Sequence, residues 1–195
     1  VSERWYDDLV DELARLPGIG RRTAARLAFA LLDDRNLAGS LSEVLARTFD
    51  TVHECPACRN LTDSGICSIC SDPSRGSSIC VVENVADLRS ISEAGLFRGR
   101  FFVLHGLLAP LEGVGPTQLG VELLTGMIRE TSAPEVILAL DATADGEATC
   151  SWLARALAPT GARITRLARG LPAGASVEMT DAHTLSQAFE GRQKI

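Results

Sequence analysis

Lysine is all but missing from this chain: among its 19 basic side chains only Lys194 is a lysine. That excludes the phosphate-gripping lysine of a P-loop, a Schiff-base lysine and a lysine nucleophile for nucleotidyl transfer. Tyrosine occurs once, as Tyr6, and the three histidines, His53, His105 and His183, are scattered without metal or triad spacing. Each histidine reads as structural. No G-x-S-x-G nucleophile elbow is present. No apolar run is long enough to cross a membrane. Residues 1–11 are charged and lack the apolar stretch of a secretory signal. The expectation is a cytoplasmic protein with no membrane partner, whose thiols stay reduced.

What is there suits one large domain or two small ones: 195 residues, 46% of them apolar, with a net charge of -6. An acidic chain grips nucleic acid only through local basic patches. Two stretches qualify. Residues 13–32 hold Arg15, Arg21, Arg22 and Arg26 without an acid, and residues 148–177 hold Arg155, Arg163, Arg166 and Arg169, again without one. For the second stretch, a solvated helix face and a binding role stand equal.

Four cysteines come as two pairs, Cys55-Pro56-Ala57-Cys58 and Cys67-Ser68-Ile69-Cys70. Two intervening residues let both thiolates of a pair face one ion, and two pairs supply the tetrahedral ligand set of a closed structural zinc site. Disulfides or a redox dithiol are the alternatives. A reducing compartment opposes the first, and the second needs only one pair. His53 stands nearby as a bystander. The stretch 59–66 has the Asn, Asp and Gly of a tight turn. Cys80 and Cys150 lie in apolar runs and read as buried thiols.

Periodicity predicts helices over 5–16 and 22–32, broken at Pro17-Gly18-Ile19-Gly20. Ser40-Leu41-Ser42-Glu43 has capping-box form and predicts a helix over 41–51. From residue 78 the pattern changes. Short apolar runs at 79–82, 101–104, 136–140 and 163–167 read as parallel strands. Helices are expected over 85–93, 118–129, 146–157 and 181–190. This alternation indicates an α/β sheet covered on both faces.

Leu16-Pro17-Gly18-Ile19-Gly20-Arg21-Arg22 resembles a helix–hairpin–helix DNA-binding motif. Its glycines permit a tight turn, and the following helix offers free N–H groups to a phosphate. An ordinary helical hairpin is the rival reading. Glu83 ends the first strand. Asp141 ends the third and is followed by Asp145 and Glu147. Acids at the carboxyl ends of parallel strands converge on the ligand crevice. The set resembles a Toprim domain, with Thr143 where the catalytic pattern has a second aspartate. Exposed loop acids, or an acidic surface for protein contacts, are the other readings.

In that order and over the whole length, these pieces resemble the RecR family of bacterial recombination mediators. The likeness also runs through Cys70-Ser71-Asp72-Pro73-Ser74-Arg75, Pro110-Leu111-Glu112-Gly113-Val114-Gly115-Pro116, Gly170-Leu171-Pro172 and residues 185–192. It implies an α/β chain with an N-terminal helix–hairpin–helix domain (1–54), a four-cysteine zinc finger (55–72), a Toprim-like parallel-sheet domain (78–172) and a C-terminal oligomerisation segment with a helix (173–195). It implies a non-enzymatic, DNA-binding mediator in recombinational repair, a ring tetramer in the cytoplasm at the nucleoid. Its partners would be DNA (single-stranded, gapped or double-stranded) and the proteins RecO and RecF, with which it would promote RecA loading on gapped or single-stranded DNA.

On this likeness the DNA contacts are Gly18, Gly20, Arg21, Arg22 and Arg26, and structural Zn²⁺ sits on Cys55, Cys58, Cys67 and Cys70. Glu83, Asp141, Asp145 and Glu147 form the Toprim site, serving partner binding, and no residue is catalytic. Asp141 replaces the asparagine of many members, leaving room for weak Mg²⁺ binding there. Met179 replaces a common tyrosine in the segment expected to pack subunits. Two other functions compete: a Mg²⁺-dependent Toprim nuclease or topoisomerase-like enzyme, and a zinc-built protein-interaction module that never touches DNA.

Overall fold

The computed structural model describes residues 4–192; positions 1–3 and 193–195, with Lys194, lie outside the described residues. The chain divides into two compact units, the first ending at His53 and the second starting at Glu54.

The first unit holds helices α1 (Arg4–Ala14), α2 (Arg21–Asp33) and α3 (Arg35–Thr51). Ala24 and Ala28, one turn apart on α2, are buried with Val10 of α1, and Leu9, Leu13 and Ile19 close around them. Small residues at this spacing let the two helices approach closely. The Tyr6 ring lies against Phe29, centroids 5.2 Å apart. Helix α3 starts at Arg35 rather than at the expected residue 41. Asp34 is the cause: its carboxylate accepts from the N–H groups of Asn36 and Leu37, satisfying first-turn donors before Ser40 is reached. No residue of α3 is buried. Leu37, Leu41, Val44 and Leu45 form an exposed apolar stripe along it.

At the division comes a two-stranded hairpin, β1 (His53–Glu54) and β2 (Leu61–Thr62), followed in the second unit by the single turn α4 (Ser68–Ser71). The turn expected over 59–66 thus contains a short strand. Next come β3 (Ile79–Val82), α5 (Val85–Glu93), β4 (Arg100–Val103) and α6 (Val121–Thr131). After them run β5 (Glu135–Ala139), α7 (Ala144–Leu157), β6 (Arg163–Arg166) and α8 (Ala182–Glu190). Helix α6 begins three residues later than the pattern predicts. Gly120 stands in the left-handed region before it, and residues 116–120 are spent on turns.

The four main strands are all parallel, in the order β4-β3-β5-β6. Every residue of β3 is buried, as a central strand covered on both faces requires, whereas edge strand β6 has none. The core is built on Ile79, Val81, Phe101, Phe102, Val136 and Leu138, with Leu88, Leu124, Leu153 and Leu157 contributed by helices. From β3 the chain crosses first to β4 on one side and later to β5 on the other. The order therefore reverses at β3, and in sheets of this kind ligands bind in the crevice beyond the carboxyl ends of the strands at that point.

Candidate functional site

Three groups of residues carry chemistry. In the first unit, Gly18 turns the chain between α1 and α2 with φ +80°, where a side chain would be strained. Ile19 N–H closes the turn on Leu16 O at 3.0 Å. Gly20 caps α2 in extended conformation, with no side-chain cap bond and no acid in the first turn. The first N–H groups of α2 thus remain available, at the positive end of the helix dipole. Arg21, Arg22 and Arg26 are all exposed around this end.

The three arginines are not equivalent. Arg21 Nη1 donates to Asp11 at 2.6 Å, and its Nη2 lies 3.9 Å from Asp7. Arg15 bonds Glu12. Arg22 and Arg26 form no ion pair among the described residues. The stretch is acid-free in sequence, but α1 brings acids to one of its arginines.

The second group is the zinc hairpin. Cys55 N–H donates to Asn60 O at 2.6 Å, and Arg59 N–H donates to Cys55 O at 2.8 Å, folding the first pair into a knuckle. Cys67 caps α4, which presents Cys70. The four Sγ atoms lie within 4.8 Å of one another. Sulfurs around a tetrahedral zinc at about 2.3 Å each stand about 3.8 Å apart, so the donor set fits with small adjustments. Cys55, Cys58 and Cys67 are buried, and all six cysteines are free thiols. The Cys58–Cys67 separation of 3.5 Å is far beyond a disulfide bond. As thiols, Cys58, Cys67 and Cys70 differ in how tightly they hold their protons. The hydrogen bond from Cys58 brings Cys70 down to about 6 and pushes Cys58 up, while burial raises Cys67. Cys80 and Cys150 are buried elsewhere, and burial alone pushes Cys80 up to about 12. His53 is exposed and its Nδ1 lies 3.2 Å from Thr51 O, away from any ligand role.

The third group lies at the crevice beyond β3 and β5. Glu83 follows β3, and Asp141 follows β5 by two residues. Burial and the nearby Asp141 and Asp87 raise the Glu83 carboxyl. Burial and Asp141 likewise raise Asp87. Asp87, in the first turn of α5, is therefore a third member of this acidic crevice. Sequence reading missed it, although Glu83 and Asp87 are four residues apart across the N-cap Asn84, whose side chain accepts from Asp87 N–H at 3.0 Å.

Thr143, standing where a second catalytic aspartate was sought, caps α7 by accepting from Gly146 N–H at 3.1 Å. Gly146 packs under Asp141, and a Cβ there would collide with the Asp141 carbonyl. Asp145 is exposed in the first turn of α7. Glu147 faces Arg166, at 3.0 Å, and Arg169. It neutralises arginines instead of joining Glu83 and Asp141. Arg163 pairs with Glu135 at 3.0 Å, which leaves Arg155 alone of the second basic stretch without an ion pair among the described residues. Among the described residues, only the four cysteines gather three or more ligand atoms closely enough for one ion. Also among them, no helix is long and apolar enough to cross a membrane.

Family models match this chain in four blocks. A RecR helix-hairpin-helix covers residues 6–48, a RecR four-cysteine zinc finger domain 52–72, a Toprim domain 77–168 and a RecR C-terminal block 170–193. The zinc-finger match and the sulfur geometry together make the four-cysteine cluster a structural zinc site. Proteins named Recombination protein RecR are similar over nearly the full length. That of Frankia casuarinae is 47% identical, covering 100% of this chain and 99% of its own. That of Desulforudis audaxviator is 46% identical over 96% of both chains. That of Heliobacterium modesticaldum is 44% identical over 96% of this chain and 95% of its own. Motif order, zinc chemistry, sheet topology and end-to-end likeness converge, and the chain belongs to the RecR family.

Proposed function

We propose that this protein is a DNA-binding recombination mediator that acts in recombinational repair without covalent chemistry on DNA. The observation that carries this reading is the open amino end of α2, uncapped by any side chain and flanked by the exposed Arg22 and Arg26. Backbone N–H groups and arginines at a helix start recognise phosphate, not base sequence. That suits a factor acting on gapped or single-stranded DNA of any sequence. Gly18 and Gly20 shape the turn, Arg22 and Arg26 contact phosphate, and Arg21 contributes less because Asp11 holds it.

The finer role is RecA loading together with RecO and RecF, in the cytoplasm at the nucleoid. The family's name as recombination proteins supports it. The acidic crevice of Glu83, Asp87 and Asp141 offers a basic partner segment a docking place. Asp145 is exposed in the first turn of α7, and Glu147 braces the arginines of β6 and its following loop. A ring tetramer is the expected assembly. It is supported by the exposed α3 stripe and by exposed Val177, Met179 and Phe189 near the C-terminal helix. Several copies of one modest arginine pair around a common opening add by effective concentration. Functional blocks at 1–54, 55–72, 78–172 and 173–195 complete the reading.

A gel-shift titration of single-stranded and gapped DNA with wild type and Arg22→Ala/Arg26→Ala tests it. Loss of affinity with unchanged folding is expected, and undiminished binding refutes the assignment. Incubating labelled DNA with Mg²⁺ or Mn²⁺ tests the non-enzymatic half: intact DNA is expected, and cleavage abolished by Glu83→Gln refutes it.

A further inference from the structure

One side chain fastens the zinc hairpin to the loop beyond β4. Arg59 follows the ligand Cys58, and its Nε donates to Glu54 Oε2 at 3.0 Å. Its Nη1 donates to two carbonyls, Leu104 O at 2.9 Å and Gln118 O at 3.1 Å. These carbonyls stand at the two ends of loop 105–120, so a single guanidinium holds the loop closed at its base. Gly120 makes the room: a Cβ there would come within 2.9 Å of Arg59 Nη1 and 3.0 Å of its Cδ.

The backbone of Arg59 is held as well. His105 Nε2 donates to Arg59 O at 2.7 Å and lies 3.6 Å from Glu54 Oε1. Glu54, Arg59 and His105 therefore close a ring of polar contacts between hairpin and loop. Arg59 and His105 have φ values of 62° and 59°, two of the three non-glycine residues in the left-handed region among the described residues. Residues with side chains stay in that region only where surrounding contacts hold them there. Two such residues bonded to each other mark a joint whose geometry is fixed by both partners at once.

The joint connects onward. Leu108 N–H donates to Thr149 Oγ1 at 3.0 Å, and Thr149 Oγ1 donates to Asp145 O at 2.6 Å. Thr149 is fully buried in α7. A chain of bonds thus runs from the Cys55–Cys58 knuckle through Arg59 and the loop to the first turn of α7, beside the acidic crevice. The same loop carries the Pro110 to Pro116 stretch, which includes the turn closed by Val114 N–H on Ala109 O at 3.0 Å.

We propose that Arg59 is a positioning residue that makes the conformation of loop 105–120 depend on metal occupancy of the four-cysteine site. Metal bound by Cys55 and Cys58 fixes the knuckle. The knuckle aims Arg59, and Arg59 holds both ends of the loop. Metal loss frees Arg59 and lets the loop open, altering the surface next to the first turn of α7. This coupling stands independently of the DNA-binding reading.

Hydrogen–deuterium exchange of the full chain tests it in four states: wild type and Arg59→Ala, each zinc-loaded and each stripped by a chelator under reducing conditions. A chromogenic chelator gives the zinc content. A charge-assisted bond released from a partly buried site raises local exchange by about tenfold or more. Zinc-loaded Arg59→Ala is expected to keep its zinc and its β3 and β5 protection, yet show that rise within residues 105–120. Stripping wild type is expected to give the same rise, and stripping Arg59→Ala to add less than about twofold to it. Arg59→Lys keeps the charge, but its one ammonium cannot bond Glu54 and the two carbonyls from separate nitrogens, so a rise smaller than that of Arg59→Ala is expected. Zinc-loaded Arg59→Ala with unchanged loop protection overturns the proposal. So does a full additional opening when that variant is stripped. Should stripping unfold the whole unit, the comparison of the two zinc-loaded proteins decides alone.

Discussion

Replacing Arg22 and Arg26 together should weaken DNA binding in a way that salt dependence quantifies. Both side chains are exposed and lack an ion pair among the described residues, so each is free to displace counterions from a phosphate. One phosphate contact contributes about 0.9 to the slope of log affinity against log salt on duplex DNA and about 0.7 on single strands. Arg22→Ala/Arg26→Ala should therefore lower the slope by about 1.8 on duplex and about 1.4 on single strands for each bound protomer. At about 0.1 M salt the duplex change corresponds to roughly sixtyfold weaker binding. Arg21→Ala should cost less, because Asp11 at 2.6 Å already neutralises much of that charge. Asp11→Asn should strengthen binding by releasing it. Fluorescence anisotropy with a labelled oligonucleotide, repeated over a salt series, gives each slope. A double variant with the wild-type slope would falsify the placement of the phosphate site at the start of α2.

Cys58→Ser should abolish stoichiometric zinc and open residues 54–72 to protease while β3 to β6 stay protected, since the metal supplies the hairpin's folding energy. Wild-type melting and proteolysis in that variant would contradict a structural role. Zinc should also be released on acidification, because four thiols recapture protons as the metal leaves; pH-independent retention against a chelator would count against thiolate ligation. Glu83→Gln should stabilise the fold by about 0.5 kcal/mol near neutral pH, a figure discounted for solvent screening. The Glu83 carboxyl is raised by burial, Asp141 and Asp87, so its charged form is the unfavourable one. The gain should be present above its folded pKa and vanish as pH falls through it. Urea melts at several pH values check the sign. Gly146→Ala should destabilise by about 1–3 kcal/mol, because its Cβ meets the Asp141 carbonyl.

Features written in short stretches of sequence were legible in advance. The two Cys-x-x-Cys pairs place sulfurs by covalent spacing alone, and the structure gathers them within 4.8 Å. Short apolar runs gave the four parallel strands, with ends shifted by one residue at most, because a buried strand needs apolar side chains on both faces. Gly18 of the hairpin was readable because positive φ is a property of one residue, whereas Gly20 stands in ordinary extended conformation. The start of α3 was not. Asp34 and Ser40 both have capping chemistry, and Asp34, being first, takes the donors.

Side-chain partnerships were decided by the tertiary structure. Arg21 sits in an acid-free stretch, yet α1 carries Asp11 to it across ten residues. Glu147 reads as one of four clustered acids, yet β6 and its following loop bring Arg166 and Arg169 to it, and Asp87 joins the crevice in a place the sequence did not mark. Arg59 carries no motif signal, and its hold on Leu104 and Gln118 exists only because the knuckle and the loop meet beyond β4. Backbone preferences and ligand spacings act over a few bonds, so the sequence by itself determined the elements and the metal site. Charge pairing acts through space between segments far apart in the chain, so only packing could decide which arginines are free, which acids converge and what grips the loop.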